Sequence, residues 1–176
     1  MTYVKLYIQG ISFRGMEYAL IFGALFLAVL LFLHVRKRYP MWRVFAALVL
    51  YAFLFVVLST TVLSRPDYGY YDYNMELFWS YRAAKEQQSE FLAVQIFINM
   101  LVLIPAGFLF PLAAWKARFK HTFFFGLFCT GTIEVLQLVL QRGLFEWDDI
   151  FHNMLGICAG YGIYWIGKRI CSHRRT

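Results

Sequence analysis

Residues 131–160 read GTIEVLQLVLQRGLFEWDDIFHNMLGICAG and concentrate hydrogen-bonding and ionisable groups in an otherwise oily chain. Glu134 stands inside an apolar run, where a carboxylate is expensive to keep and is a functional-site candidate for that reason. Gln137 and Gln141 follow at three and seven residues, on the same face of a helix, and Arg142 comes next. Asp149, Asn153, Gly156 and Gly160 recur at offsets of four, seven and eleven, again one helical face. A further amide, Asn99, lies in another apolar run and must find a partner, because an unpaired amide in hydrocarbon costs about 2–7 kcal/mol. Two kinds of chemistry fit these types. The amides and carboxylates can hold a polar ligand, with Arg142 on an anionic group, or Glu134 can serve as a general acid or base. A sealed network that only fixes helix register accounts for the same residues, and Asn99 can equally be helix–helix glue. His152 beside Asp148 and Asp149 suggests zinc, but there is no second His at ligand spacing, so no metal or other cofactor is expected. Cys129, Cys158 and Cys171 have no paired spacing and read as packing residues.

The elements that carry these residues are apolar and long. Of 176 residues, 61% are hydrophobic and 15% charged, more apolar surface than one soluble core of this size can hide. Val44 to Ser64 and Phe91 to Trp115 contain no charge over 21 and 25 residues. Tyr18 to Val35 and Ile150 to Gly167 give 18 each, and Thr122 to Gln141 gives 20, interrupted only by Glu134. The expected fold is an all-α polytopic membrane bundle of about five transmembrane helices. A short interfacial helix is expected before it, from Val4, Tyr7, Ile8 and Ile11 at helical spacing. The first span is followed by HVRKRYP with no small-residue cleavage site, so it reads as a retained anchor. The domains are 1–15, an interfacial segment; 16–168, the transmembrane domain; and 169–176, a basic tail.

The net charge of +7 is a topology signal before it is a sign of nucleic acid. Three segments hold 11 of the 17 basic residues and no acid: Arg36, Lys37, Arg38 and Arg43; Lys116, Arg118 and Lys120; Lys168, Arg169, Arg174 and Arg175. Basic loops stay cytoplasmic, which predicts the N-terminus outside and the C-terminus inside. Attraction to anionic inner-leaflet lipid is a secondary reading.

In the third span, Pro105 should kink or loosen the helix, and Gly107 should permit a close neighbour. Gly156 and Gly160 form a G-x-x-x-G pair suited to tight helix approach. Counting about 1.5 Å per residue, Asn99 and Glu134 each lie roughly 12 Å below the outer rim. The expected site is a polar notch with Asn99 and Glu134 at its floor and Arg142, Asp148 and Asp149 at its mouth. The longest connection, residues 65–90, is rich in Tyr, Trp and Phe. It reads first as an aromatic belt at the headgroup level and second as a cover over the site.

The pattern resembles the VanZ-like family. The residues that carry the resemblance are Glu134-x-x-Gln137 with Arg142, then Asp149-x-x-x-Asn153-x-x-Gly156-x-x-x-Gly160. Upstream, Asn99 through Pro105 and Gly107, and Asn74 through Phe78, are similar to further family segments, so the likeness covers roughly residues 44–167. The chain departs at Leu77, where the family usually has Pro, at Ala106, where it often has Phe, and at Glu146, near a usual Asp. The resemblance implies a small multi-pass protein of the bacterial cell membrane associated with resistance to teicoplanin, a glycopeptide antibiotic with a fatty tail.

Together these readings favour a non-enzymatic membrane protein whose outward-facing site takes an amphiphile, either a lipoglycopeptide or a lipid-linked cell-wall intermediate. The expected ligand-binding residues are Asn99, Glu134, Gln137, Arg142, Asp149 and Asn153. The second reading is a membrane enzyme on a lipid-linked substrate with Glu134 as acid or base, although no nucleophile–base pair is legible. A transporter is less well supported, because no internal repeat signals alternating access. Membrane lipid is an expected partner, homo-oligomerisation is possible, and nucleic acid is not expected.

Overall fold

The computed structural model describes residues 13–36, 39–115 and 118–173. Helix α1 spans Phe13–Val35 and α2 spans Met41–Leu58, continuing into a π-helical turn over Ser59–Leu63. Strand β1, Asp72–Asn74, and helix α3, Trp79–Glu86, lie in the long connection. Then follow α4, Glu90–Val102; α5, Ile104–Ala113; α6, Phe119–Val139; strand β2, Leu144–Glu146; and α7, Trp147–His173. The expected interfacial helix falls in residues 1–12, and Lys37, Arg38, Lys116, Arg174 and Arg175 also lie outside the described residues.

The bundle is an all-α membrane fold turned inside out relative to a soluble one. Leu20, Phe22, Phe45, Phe91, Phe124 and Phe128 are all exposed, while Glu134, Gln137, Asp148, His152 and Asn153 are buried. A lipid solvent accepts the first set, and the second set must hydrogen-bond within the protein. Three described segments are long and apolar enough to cross a membrane: Met41–Leu63, Glu90–Ala113 and Phe119–Val139; Ala19–Val35 is a shorter apolar helix. The fifth expected span lies in α7. Its Asp148, Asp149, His152 and Asn153 lower its apolarity, and Asp148, His152 and Asn153 are turned into the bundle while Ile163, Trp165 and Ile166 face out.

Helix α7 packs against α4, α5 and α6. Glycines set its approach to the third span, as the G-x-x-x-G spacing predicts. A Cβ on Gly156 would come within 2.5 Å of the Met100 carbonyl oxygen, and one on Gly160 within 2.1 Å of that of Ile104. Facing them, a Cβ on Gly107 would meet the Ile157 carbonyl oxygen at 2.2 Å. Pro105 does more than bend the third span. The helix breaks at Leu103 (φ −97°, ψ 6°) and restarts with Pro105 in the first turn of α5, where its missing N–H costs little.

The two ends of the bundle differ. At the basic end, Tyr39 donates its hydroxyl proton to the Ala113 carbonyl, and Arg43 Nη1 donates to the Ala114 carbonyl at 2.8 Å. The Arg43 guanidinium lies over the rings of both Trp42 and Trp115, 4.8 and 4.9 Å from their centroids. At the opposite, loop end, β1 and β2 pair in parallel, with Asp72 beside Leu144, Tyr73 beside Phe145 and Asn74 beside Glu146. That ladder ties the long connection to the turn between α6 and α7, which places α3 over the loop end of the bundle.

Candidate functional site

The π-helical turn at the end of α2 governs one side of the loop end. A helix C-terminus leaves carbonyls without intrahelical partners, and two side chains from the α6 end satisfy them. Gln137 Nε2 donates to the Thr61 carbonyl at 3.0 Å, and Arg142 Nη1 donates to the Leu63 carbonyl at 2.8 Å. Glu134, 1% exposed, accepts the Glu146 backbone N–H at its Oε2, 3.1 Å away. The carboxylate and the amide of the expected E-x-x-Q pair therefore clamp β2 and the end of α2. Arg142 turns to a backbone carbonyl, not toward Glu134 or Asp149.

Two carboxylates on the first turn of α7 take different tasks. Asp148 accepts three bonds from the long connection: Phe78 N–H at 2.5 Å, Ser80 N–H at 3.0 Å and the Ser80 hydroxyl at 2.5 Å. It thereby caps α3, whose preceding residue Phe78 sits at φ +63° with no side-chain cap of its own. Phe78 also meets Phe151 edge-on, and the Tyr81 hydroxyl pairs with His152 Nε2 at 2.9 Å. Asp149 instead accepts from Asn99 Nδ2 at 2.6 Å, joining α4 to α7. Asn99 is thus paired with Asp149 and not with Glu134 at a common floor. Asn153 Nδ2 donates to Thr130 Oγ1 at 3.1 Å, one turn below.

Between α3, α4, β2 and the first turn of α7 lies a cavity of about 180 Å³. Its polar lining comes from Arg65, Trp79, Ser80, Gln95, Glu146 and Asp149, its apolar lining from Leu92, Ile96 and Leu144. Of the six expected ligand-binding residues, only Asp149 lines it. Glu134 sits behind Glu146, and Asn99 touches the lining through Asp149. Of the residues expected around the notch, Asp149 lines this cavity, while Asn99, Glu134, Arg142 and Asp148 make the hydrogen bonds described above.

Arg65 is the cation of this cavity. It lies two residues past the π-helical turn, after Ser64, and Gly143 leaves it room: a Cβ there would approach Arg65 Nη1 to 2.8 Å. Among the described residues it makes no ion pair within 4 Å; the one such pair, Arg82 with Glu76, lies in the exposed connection. Glu146 Oε1 and Trp79 Nε1 are likewise buried without a hydrogen-bond partner. Burial, and then the Asp149 charge, push the Glu146 carboxyl up to about 7. The nearby Trp79 indole and Arg65 pull the other way, although Nε1 and Oε1 do not close a hydrogen bond. Among the described residues no group of His, Cys, Asp and Glu is arranged to hold a metal ion.

Arg65, Trp79, Gln95 and Glu146 were not among the expected site residues. A signal existed for two of them. Arg65 is the first charge after an uncharged run, and Gln95 precedes Asn99 by four residues on one helical face. Nothing local distinguishes Trp79 from the other aromatic residues of the connection.

Comparison with curated proteins and with solved structures returns no match. The VanZ/LLP1 family model matches residues 42–168, which include α2 through most of α7 and every residue of the cavity. The chain is an integral membrane protein that belongs to the VanZ/LLP1 family.

Proposed function

We propose that the cavity at the loop end holds the polar head of an amphiphile, and that this underlies a role in teicoplanin-type glycopeptide resistance. In this reading the loop end faces outward from a bacterial cell membrane and the basic end faces the cytoplasm. The observation that carries it is the unspent hydrogen-bonding capacity of the cavity. Among the described residues, the Arg65 guanidinium of the cavity wall has no ion pair within 4 Å, and the buried Glu146 Oε1 and Trp79 indole N–H beside it close no hydrogen bond. Leaving the buried carboxylate oxygen and indole N–H unsatisfied costs about 1–3 kcal/mol each, which a ligand's polar head offsets.

Size narrows the ligand. The cavity holds 180 Å³, below the roughly 300–1,000 Å³ of drug-sized sites. A whole glycopeptide does not fit, but one head or substituent does, with the greasy remainder left in the membrane. The lipid-linked cell-wall intermediate and the lipoglycopeptide both meet that description. For an enzyme with Glu134 as acid or base, the geometry is less favourable, because that carboxylate is sealed behind Glu146. Carboxylates in reach of a cavity ligand are Glu146 and Asp149.

The test is expression in a glycopeptide-sensitive bacterium, with minimum inhibitory concentrations measured for teicoplanin and for vancomycin, which lacks the fatty tail. Tolerance is expected to rise more for teicoplanin, and Glu146→Gln is expected to abolish the rise at unchanged membrane abundance. Equal inhibitory concentrations with and without the protein would overturn the resistance role. For orientation, a cysteine at Ser89 should react with an impermeant maleimide in intact cells and one at Ser172 should not.

A further inference from the structure

The chemistry of the cavity wall specifies its ligand further. We infer that the cavity recognises a zwitterionic head, a primary ammonium beside an anionic group, through Glu146 and Asp149 on one side and Arg65 and Trp79 on the other. This rests on the reading above that the cavity is the ligand site.

Glu146 is 6% exposed and lines the cavity, and its buried Oε1 closes no hydrogen bond among the described residues, so a small movement of the carboxylate gives an entering donor an acceptor. Asp149 stands beside it with Asn99 donating to Oδ1 only. Two carboxylates facing one small space favour a cation with N–H donors. A quaternary ammonium has no N–H to give and leaves Glu146 Oε1 unsatisfied. Among the described residues, the same wall holds the Arg65 guanidinium, with no ion pair within 4 Å, and the buried Trp79 indole N–H, which lies near the Glu146 carboxyl without closing a hydrogen bond. Both are donors only, so the second end of the ligand must accept, and the fixed fork of Arg65 suits a phosphate or carboxylate. A purely cationic ligand leaves Arg65 and Trp79 unanswered, and a purely anionic one meets two carboxylates. A head carrying both signs satisfies all four groups. At roughly 30 Å³ per water, 180 Å³ corresponds to about six waters, enough for a head of phosphoethanolamine size.

The full chain in phosphatidylcholine nanodiscs can be titrated with short-chain phosphatidylethanolamine, phosphatidylglycerol and phosphatidylcholine, with retained lipid read by native mass spectrometry. Phosphatidylethanolamine should be retained about tenfold more tightly than either other lipid, the scale of one lost charge-assisted contact. Arg65→Gln and Glu146→Gln should each lower it to the level of phosphatidylcholine. O-Phosphoethanolamine should compete and phosphocholine should not. Lipid retained in the presence of excess free head marks the lipid-borne form as the preferred source, and complete displacement marks the head alone. Equal retention of the three wild-type comparisons would overturn the inference whether or not the variants fold, as would retention unchanged in folded variants. Selective retention without a resistance phenotype would sink the proposed role and leave this recognition standing; resistance without selectivity would do the reverse.

Discussion

The loop end contains two polar regions built from the same residue types, with opposite outcomes. On the α6 side, Glu134, Gln137 and Arg142 each spend a donor or acceptor on backbone groups of β2, Thr61 and Leu63, and Gln137 Oε1 alone of these groups is left buried without a partner. On the α4 side, Arg65, Trp79 and Glu146 face one another across a cavity with capacity left over. Residue type does not separate the two. What separates them is whether an unsatisfied backbone carbonyl or N–H lies within reach. The π-helical turn and the edge of β2 supply such groups on the first side, and among the described residues no backbone group bonds to the Arg65 guanidinium, Glu146 Oε1 or Trp79 Nε1 on the second. The first region therefore reads as scaffold and the second as site.

Removing a scaffold anchor should have the largest effect. Asp148→Ala deletes the acceptor of three hydrogen bonds that hold α3, two of them from backbone N–H groups. A loss of about 3–5 kcal/mol is expected. Thermal unfolding in detergent and protease sensitivity of residues 65–90 would show it. An unchanged midpoint with an intact loop would remove Asp148 from the scaffold.

Acidity should sharpen the contrast next. The Glu146 carboxyl, near 7 in the folded protein against 4.5 unperturbed, binds its proton more tightly when folded. Its contribution is therefore fully present below pH 4.5 and is lost as pH rises through about 7. The unfolding midpoint should fall across that interval, and Glu146→Gln should flatten the slope. A slope that survives in Glu146→Gln would assign it to another group.

The substitutions Arg65→Gln and Arg142→Gln compare the regions head to head. Arg142→Gln removes a bond to the Leu63 carbonyl and should cost about 1 kcal/mol while leaving ligand retention intact. Arg65→Gln should abolish selective retention while the protein still inserts at normal abundance. The reverse outcome, with Arg142 governing retention, would return the site to the α6 side.

The smallest effect on function is expected from Glu134→Gln. The amide oxygen still accepts the Glu146 N–H, so stability should change by about 1 kcal/mol or less and resistance should persist at normal abundance. Loss of resistance with normal insertion would favour an acid–base role for Glu134 over the binding role assigned to the cavity.

The amino-acid sequence by itself determined the membrane solvent, the helical class and the tight packing of α7 on the third span. Those follow from uncharged run lengths and from Gly156 and Gly160 at a one-face spacing, both local properties of the chain. It also marked the loop end of the bundle as polar, because Glu134, Asp149 and their amides sit where polarity is expensive. Only the tertiary structure decided the division of labour. Arg142 caps Leu63 because α2 ends in a π-helical turn beside it, and Asp148 caps α3 because the β1–β2 ladder brings a connection some 70 residues away over α7. Arg65 and Glu146 share a cavity although 81 positions separate them, and no periodicity spans that distance. Hydrogen-bond partners are chosen by what the fold brings within about 3 Å, which helical spacing predicts within one helix and not between them.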